Sequence, residues 1–513
     1  EPFEPGEDWQ HVAFTYDGAG GVRFYRNGAS LGGADRPGRG PVAAGSHGLS
    51  IGDRLGSNYA GFPGFLDEVR LCDGLREFRP VAVEFQADRK TWLRMEPAEP
   101  LRVVVRNQSK TPAKGIKLRL LIEGLGGRTY DAPEIASGAS HELLYPLDTS
   151  MRPDSYRLQA RLEMPGETPF TSTESAEFVI APRPLARMPV MMWGLGSPES
   201  VAEELPRLMD LGFTHCLGGG ADYGAIWAAK APAPPADEKR IAAVKGMLDL
   251  ALARGFGIAF ALSPGHWLKD RADLQRVNRE GKPYADRPDV NAALPGLTEF
   301  CFNVGASVAR TYSGFPAWKA TLINTEVRDS SQVSFSRFDH EAYRAFAGAD
   351  VPKEVTIKNG VDWTKLKDFP ADRVIADDHP IRKYYEWFWT VGDGWNALHT
   401  ATHKGIHSTG RDDVWTWFDP AIRAASVGGS GGEVDVLGQW TYTNPDPLRI
   451  AYFADELFAM AANAPKPPGV MKMTQLFWYR AQTAPKKAGA AHVGSPFDDH
   501  DPDAAYITIS PMH

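Results

Sequence analysis

Hydrophobic and polar positions alternate with period two in short runs over the first third of the chain, the spacing of strands that bury one face. In residues 9–16, Trp9, His11, Ala13 and Thr15 interleave with Gln10, Val12, Phe14 and Tyr16. Asp17-Gly18-Ala19-Gly20-Gly21 then turns the chain into a second run over residues 22–26, closed by Asn27-Gly28. Asx-Gly pairs between alternating runs are strong hairpin signals. Residues 49–52 and 64–71 supply a third and a fourth predicted strand. Alternation resumes over 101–105, 116–122, 142–145, 156–162 and 176–180, which predicts a small β-sandwich over residues 95–182. Ala181-Pro182-Arg183-Pro184 follows as a stiff linker.

From residue 186 the period changes. Short apolar runs at 190–195, 213–217, 256–262, 320–326, 414–419, 434–442 and 470–479 predict strands. Between them the spacing is helical. Ser197-Pro198-Glu199 starts one helix, with a capping serine and a proline in the first turn, and Ala202, Leu205, Leu208 and Met209 form its apolar face. Further helices are predicted over 241–253, 297–312, 448–462, and 381–407, the last interrupted at Gly392-Asp393-Gly394. Strand–helix alternation implies a parallel sheet, and seven such repeats over residues 186–513 favour a (β/α)8 barrel. Residues 505–510 are the candidate eighth strand.

At 513 residues the chain is long enough for several domains. Its net charge of -8, without clustered Lys and Arg, argues against nucleic acid as a partner. No run approaches the ~20 apolar residues of a membrane span. Cys72, Cys216 and Cys301 are too few and too scattered for a disulfide framework or a Cys-rich zinc module. Residues 1–8 carry neither the basic nor the apolar region of a signal peptide, so the chain is expected to be processed or a piece of something longer.

The motif WxHVAxTYDG…VxxYxNG…LxIG…GxxDEVR, carried by residues 9–18, 22–28, 49–52 and 64–70, resembles the later part of the laminin-G-like, concanavalin-type jelly roll. The resemblance implies sugar or protein binding, sometimes with calcium, by residues 1–80; an accessory spacer is the plainer alternative. Residues 107–113 resemble a loop of the immunoglobulin-like linker domains found beside glycosidase barrels. Met192-Trp193-Gly194, Glu203-Glu204-Leu205 and Leu211-Gly212-Phe213-Thr214 look like the first βαβ of β-galactosidase-type retaining glycosidase barrels. The whole order resembles large secreted bacterial polysaccharide-degrading proteins. It implies a partial jelly roll, a β-sandwich and a (β/α)8 barrel, working outside the cell.

Barrels of this type carry their chemistry at the C-terminal ends of strands. Glycoside cleavage needs two carboxyl groups, ~5–5.5 Å apart for retention and ~6.5–9.5 Å for inversion. Glu326 ends the fourth predicted strand. The resemblance implies an acid/base Glu there, just after an Asn on the sugar 2-hydroxyl, but Thr325 separates Asn324 from Glu326. The alternative for Glu326 is an ion pair with Arg328. Asp419 ends the fifth strand on one face with Trp415 and Trp417, which suits a sugar subsite; the alternative is an Asp-Pro turn. The family's nucleophile is a Glu ending strand seven, and residues 471–479 contain Gln475 and Trp478 but no Glu. His266, Trp267, Arg328, Gln439, Trp440, Tyr442 and Trp478 are placed along the mouth as substrate contacts. Asp222 and Asp339 stand in reserve as carboxylates, and Asp435, at the start of strand six, reads as structural.

His399, His403 and His407 share a helix face and could offer nitrogens to a metal, but no acidic or Cys partner stands at zincin spacing. A histidine-rich helix C-terminus is the simpler account, so neither metal nor cofactor is expected. Tyr384, Tyr385, Trp387, Phe388 and Trp389 make a helix aromatic all round, expected to be buried against the barrel. The expected activity is hydrolysis of glycosidic bonds in a polysaccharide or oligosaccharide. The alternative is a non-catalytic carbohydrate-binding or adhesion protein with a degenerate barrel.

Overall fold

A computed structural model describes residues 9–43, 50–52, 61–62, 64–75, 79–166, 169–285, 289–327, 331–420, 432–439, 447–462, 464 and 466–473. The chain divides into two compact units, Glu1–Arg183 and Pro184–His513.

The first unit opens with an antiparallel sheet of β1 (Val12–Tyr16), β2 (Gly21–Arg26) and β3 (Ala29–Asp35). The expected turn is closed by Asp17, whose carboxylate accepts from the N–H groups of Ala19 and Gly21. Asn27, at φ +51, and Gly28, at φ +84, supply the left-handed pair that turns β2 into β3. The strand expected over 64–71 does not form. Glu68 sits at φ +51, which breaks an extended run, and the segment is exposed along its length. Ile51 and Gly52 lie in a bend and Ser50 in no strand, and Leu49 lies outside the described residues.

Next come β4 (Val81–Gln86), β5 (Thr91–Leu93), β6 (Leu101–Asn107), β7 (Lys117–Ile122), β8 (Gly126–Asp131), β9 (Ser140–Tyr145), β10 (Asp154–Met164) and β11 (Phe170–Ala181). They form two sheets, β4-β6-β9 and β5-β11-β10-β7-β8. One core joins the sheets: Val81, Val83, Val103 and Val105 from the first meet Leu118, Leu120, Leu158, Leu162 and Phe178 from the second. The arrangement is a sandwich, as period-two burial requires. Its first strand, β4, precedes the boundary expected at residue 95.

The second unit holds β12 (Met191–Met192), α1 (Pro198–Asp210), β13 (His215–Leu217), α2 (Tyr223–Ala229), α3 (Glu238–Ala253), β14 (Gly257–Ala261) and α4 (Pro264–Lys269). It continues through α5 (Leu297–Tyr312), β15 (Trp318–Thr325), α6 (Arg337–Ala347), α7 (Pro380–Trp387) and α8 (Trp395–His407). Among the described residues, β16 (Trp415–Asp419), β17 (Val436–Gln439), α9 (Pro447–Ala462) and β18 (Gly469–Lys472) follow. All seven strands are parallel and lie in sequential order from β12 to β18. One apolar cluster draws a residue from each: Met191, Leu217, Ala259, Ala320, Trp417, Val436 and Met471. The helix at 197–212 is capped as expected, the Ser197 hydroxyl accepting from the Ser200 N–H at 3.0 Å.

Two expectations need correction. The helix over 381–407 is three pieces: α7, a π-helical stretch Phe388–Gly392, and α8. A Cβ on Gly392 would fall 2.6 Å from the Trp387 ring, so glycine alone lets the chain pass there. The aromatic residues of α7 and of the π-helical stretch join a separate core. Tyr384, Trp387 and Phe388 bury themselves with Val333, Phe335, Tyr343, Val351, Val355 and Ile381, the apolar side chains of the long insertion after β15. That insertion has its own core, and an aromatic helix serves it. Residues 505–510 lie outside the described residues.

Candidate active site

The site is built where β15 and β16 end side by side. Their register runs Ala320↔Trp415, Thr321↔Thr416 and Leu322↔Trp417, then slips to Asn324↔Phe418 and Thr325↔Asp419. Ile323 is the extra residue, and a bulge of this kind re-aims the side chains that follow it. Phe418 is opposite Asn324 and Asp419 is opposite Thr325, so Thr325 takes the face Asp419 occupies. Asn324, the expected sugar contact, is placed beside Gly265. Its side chain is fully buried, and its Oδ1 accepts from the Gly265 N–H at 2.9 Å. Gly265 is close-packed, since a Cβ there would lie 2.9 Å from Asn324 Oδ1 and from the Trp395 ring.

Asp419 is 3% exposed, and its Oδ2 accepts from the Thr325 hydroxyl at 2.7 Å. Glu326 follows immediately. Its N–H donates to the Asp419 carbonyl at 3.0 Å, and it stands at φ +49 with its side chain exposed. A left-handed conformation costs a non-glycine residue about 1–2 kcal/mol, and such strain concentrates at functional positions. His266 joins the pair from α4, its Nε2 lying 2.7 Å from the Thr325 carbonyl. On the next strand end, Gln439 is buried and its Oε1 accepts from Lys472 Nζ at 2.8 Å. Glu326, Asp419, His266 and Gln439 thus come to the C-terminal ends of the strands.

Other candidates go elsewhere. Trp417 is fully buried in the apolar cluster under the strand ends, because two-residue alternation drops it one layer below Asp419. It fills the interior and presents no open face to a sugar. Trp267 packs among Tyr223, Trp227 and Phe300, with the Arg271 guanidinium 5.3 Å from its ring centre. Asp222 caps α2, accepting from the Ala225 N–H at 3.0 Å. Asp339 belongs to the capping box of α6, where it accepts from Ser336 and from the buried Asn291 amide at 2.9 Å. Both reserve carboxylates are thereby engaged in local structure. Arg328, Trp440, Tyr442, Gln475 and Trp478 lie outside the described residues.

The helical histidines split. His399 is buried between Trp395 and Phe418. His403 and His407 reach the start of β16, where His403 Nδ1 lies 2.8 Å from Thr416 Oγ1 and His407 Nε2 lies 2.8 Å from the Val414 carbonyl. Asp435, just ahead of β17, accepts from both the N–H and the hydroxyl of Thr416. Burial and the neighbouring His407 hold the His403 imidazole below its ordinary pKa, against the pull of Asp435. The acidic neighbour missing from the helix comes from another strand.

Residues 1–77 match the family model of the concanavalin A-like lectin/glucanases superfamily. The chain thus carries a concanavalin-like module ahead of further sheet-rich domains. No curated protein sequence matches. Among solved structures, it is similar to the beta-galactosidase from Rahnella sp. R3 at 14% identity and a TM-score of 0.37, over 60% of this chain and 47% of that one. A GH2 beta-galacturonidase from Eisenbergiella tayi matches at 8% identity and a TM-score of 0.31, over 80% and 57% of the two chains. The CARDB domain of PF1109 from Pyrococcus furiosus matches at 16% identity and a TM-score of 0.16, over 20% of this chain and 94% of that domain. The chain spans about half the length of the two enzymes. Among the described residues, no helix is long and apolar enough to cross a membrane.

Proposed function

We propose that the protein is an extracellular glycoside hydrolase acting on a polysaccharide or oligosaccharide, with Glu326 as general acid/base and Asp419 as the second carboxylate. The observation that carries this reading is the strained Glu326, exposed at a strand end and hydrogen-bonded through its backbone to Asp419. Asp419 pairs with Thr325, the residue before Glu326, so the two carboxylates come from neighbouring strand ends, and the reading requires their carboxyl groups to stand ~5–9.5 Å apart. The site rests on a (β/α)8 barrel of which the seven parallel strands are the described part. Sequential strand order without a switch point, and one interior cluster fed by every strand, support closure over an open doubly wound sheet. The sandwich, which begins at β4, serves as an immunoglobulin-like linker, and the concanavalin-like module ahead of it in the chain adds a second carbohydrate contact.

Glu326 is exposed, so a bound sugar must cover it to exclude water during proton transfer. His266, bonded to the Thr325 carbonyl, steadies the segment that carries it. The test is reducing-sugar release from a panel of polysaccharides. On a cleaved substrate, Glu326→Gln should cut turnover by at least ~10² while leaving binding intact, and Asp419→Asn should do the same.

One observation favours a second reading, a carbohydrate-binding protein with a degenerate barrel. Residues 471–479 contain no Glu, where the resembled family ends strand seven on a nucleophilic Glu, and Lys472 in β18 donates to Gln439. Sugar binding without cleavage across the panel would select that reading.

A further inference from the structure

We propose that His403, His407 and Asp435 form a divalent transition-metal site, of zinc type, at the N-terminal end of the parallel sheet. It lies at the opposite end of β16 from Glu326 and Asp419. One ligand atom from each residue lies within 4.8 Å of the other two, and His403 Nδ1 is 3.7 Å from Asp435 Oδ2. Around a tetrahedral zinc with bonds of ~2.0–2.2 Å, donor atoms stand roughly 3.4 Å apart. Small side-chain rotations therefore bring the three to a common ion.

Two of the three donors come already oriented, and His403 Nδ1, 2.8 Å from Thr416 Oγ1, exchanges that contact for the ion. His407 Nε2 faces the Val414 carbonyl at 2.8 Å, which can only accept, so that nitrogen carries the proton and Nδ1 keeps its lone pair. A backbone carbonyl behind a ligating imidazole is the usual outer partner in metal sites. Thr416 does the same for the carboxylate: its N–H at 2.8 Å and its hydroxyl at 3.0 Å both point at Asp435 Oδ2. Two histidines four residues apart put both rings on one helix face, here with centres 4.2 Å apart.

The donor set also selects the ion. Two imidazoles with one carboxylate suit zinc and its neighbours, whereas calcium and magnesium prefer all-oxygen sites. His403 and Asp435 side chains retain 13% and 29% exposure, enough for an ion to enter and a water to complete its shell. The ion would tie α8 to the starts of β16 and β17. Its role is to hold the barrel floor, remote from the chemistry at the other end.

The full chain, stripped with a chelator and desalted, is titrated with zinc by calorimetry and melted with and without it. The expected results are one tight zinc per chain and a Tm rise of a few degrees, with magnesium and calcium giving neither. Cobalt in place of zinc should show the visible absorption of a tetrahedral N/O site. H403Q/H407Q, with its fold checked by circular dichroism, should bind zinc at least a hundredfold more weakly and lose the Tm rise. Asp435→Asn keeps an acceptor for Thr416 and should weaken binding ten- to a hundredfold; it decides the matter if the double variant does not fold. Failure of the native chain to bind zinc more tightly than millimolar, or unchanged binding in these variants, overturns the site.

Discussion

Glu326 and Asp419 are tied through their backbones: the Glu326 N–H donates to the Asp419 carbonyl at 3.0 Å, just beyond the last paired residues of β15 and β16. The bond holds Glu326 at φ +49 and so fixes where its carboxylate begins. If this strain is maintained for function, Glu326→Gly should abolish turnover and raise stability by about 1 kcal/mol, read by denaturant unfolding. A fall in stability would show that the side chain itself holds the turn.

Thr325 joins the same pair through its hydroxyl. Thr325→Val keeps the shape and deletes the donor to a nearly buried carboxylate, which should cost about 1–2 kcal/mol of stability. On a cleaved substrate the rate should fall at least tenfold, because Asp419 loses the contact that orients it. Unfolding and kinetics on one preparation check both.

Asp339 should behave differently. Asp339→Ala removes its half of the α6 capping box and one of three acceptors of the buried Asn291 amide, for an expected loss of about 1–3 kcal/mol. Turnover per folded molecule should stay within a factor of two. A selective loss of turnover would return Asp339 to the catalytic candidates.

His215 sets a pH dependence. Burial, with Lys319 nearby, brings its imidazole down to about 4 from 6.5. The unfolded chain therefore takes up the proton first. Stability from this group is full above pH 6.5 and is lost as pH falls from 6.5 to about 4. The loss should be on the order of 3 kcal/mol. His215→Asn should flatten that part of the stability–pH curve, and an unchanged slope would assign it elsewhere.

Gly305 and Gly405 let α5 and α8 touch. A Cβ on Gly305 would sit 2.3 Å from the Thr402 carbonyl oxygen, a backbone atom that cannot swing aside. Gly305→Ala should cost about 1–3 kcal/mol through overpacking, visible as a lower Tm with little change in kinetics per folded molecule.

Local periodicity by itself determined most of the elements. Alternation at 156–162 and 176–180 became β10 and β11, and the Ser197-Pro198 start became a capped α1, because neighbouring residues alone set those preferences. The failure at 64–71 is also local in cause, the left-handed Glu68, but nothing in an Asp-Glu-Val-Arg string announces that angle. The site needed the third dimension. A one-residue slip at Ile323 decided that Thr325, not Asn324, meets Asp419, and strand register depends on the partner strand as much as on the sequence of either. The capping bonds that engage Asp222 and Asp339 were equally invisible, since an aspartate's role depends on which N–H lies before it. Asp435 reaches His403 and His407 for the same reason: parallel strands bring together residues whose separation along the chain carries no signal that they meet.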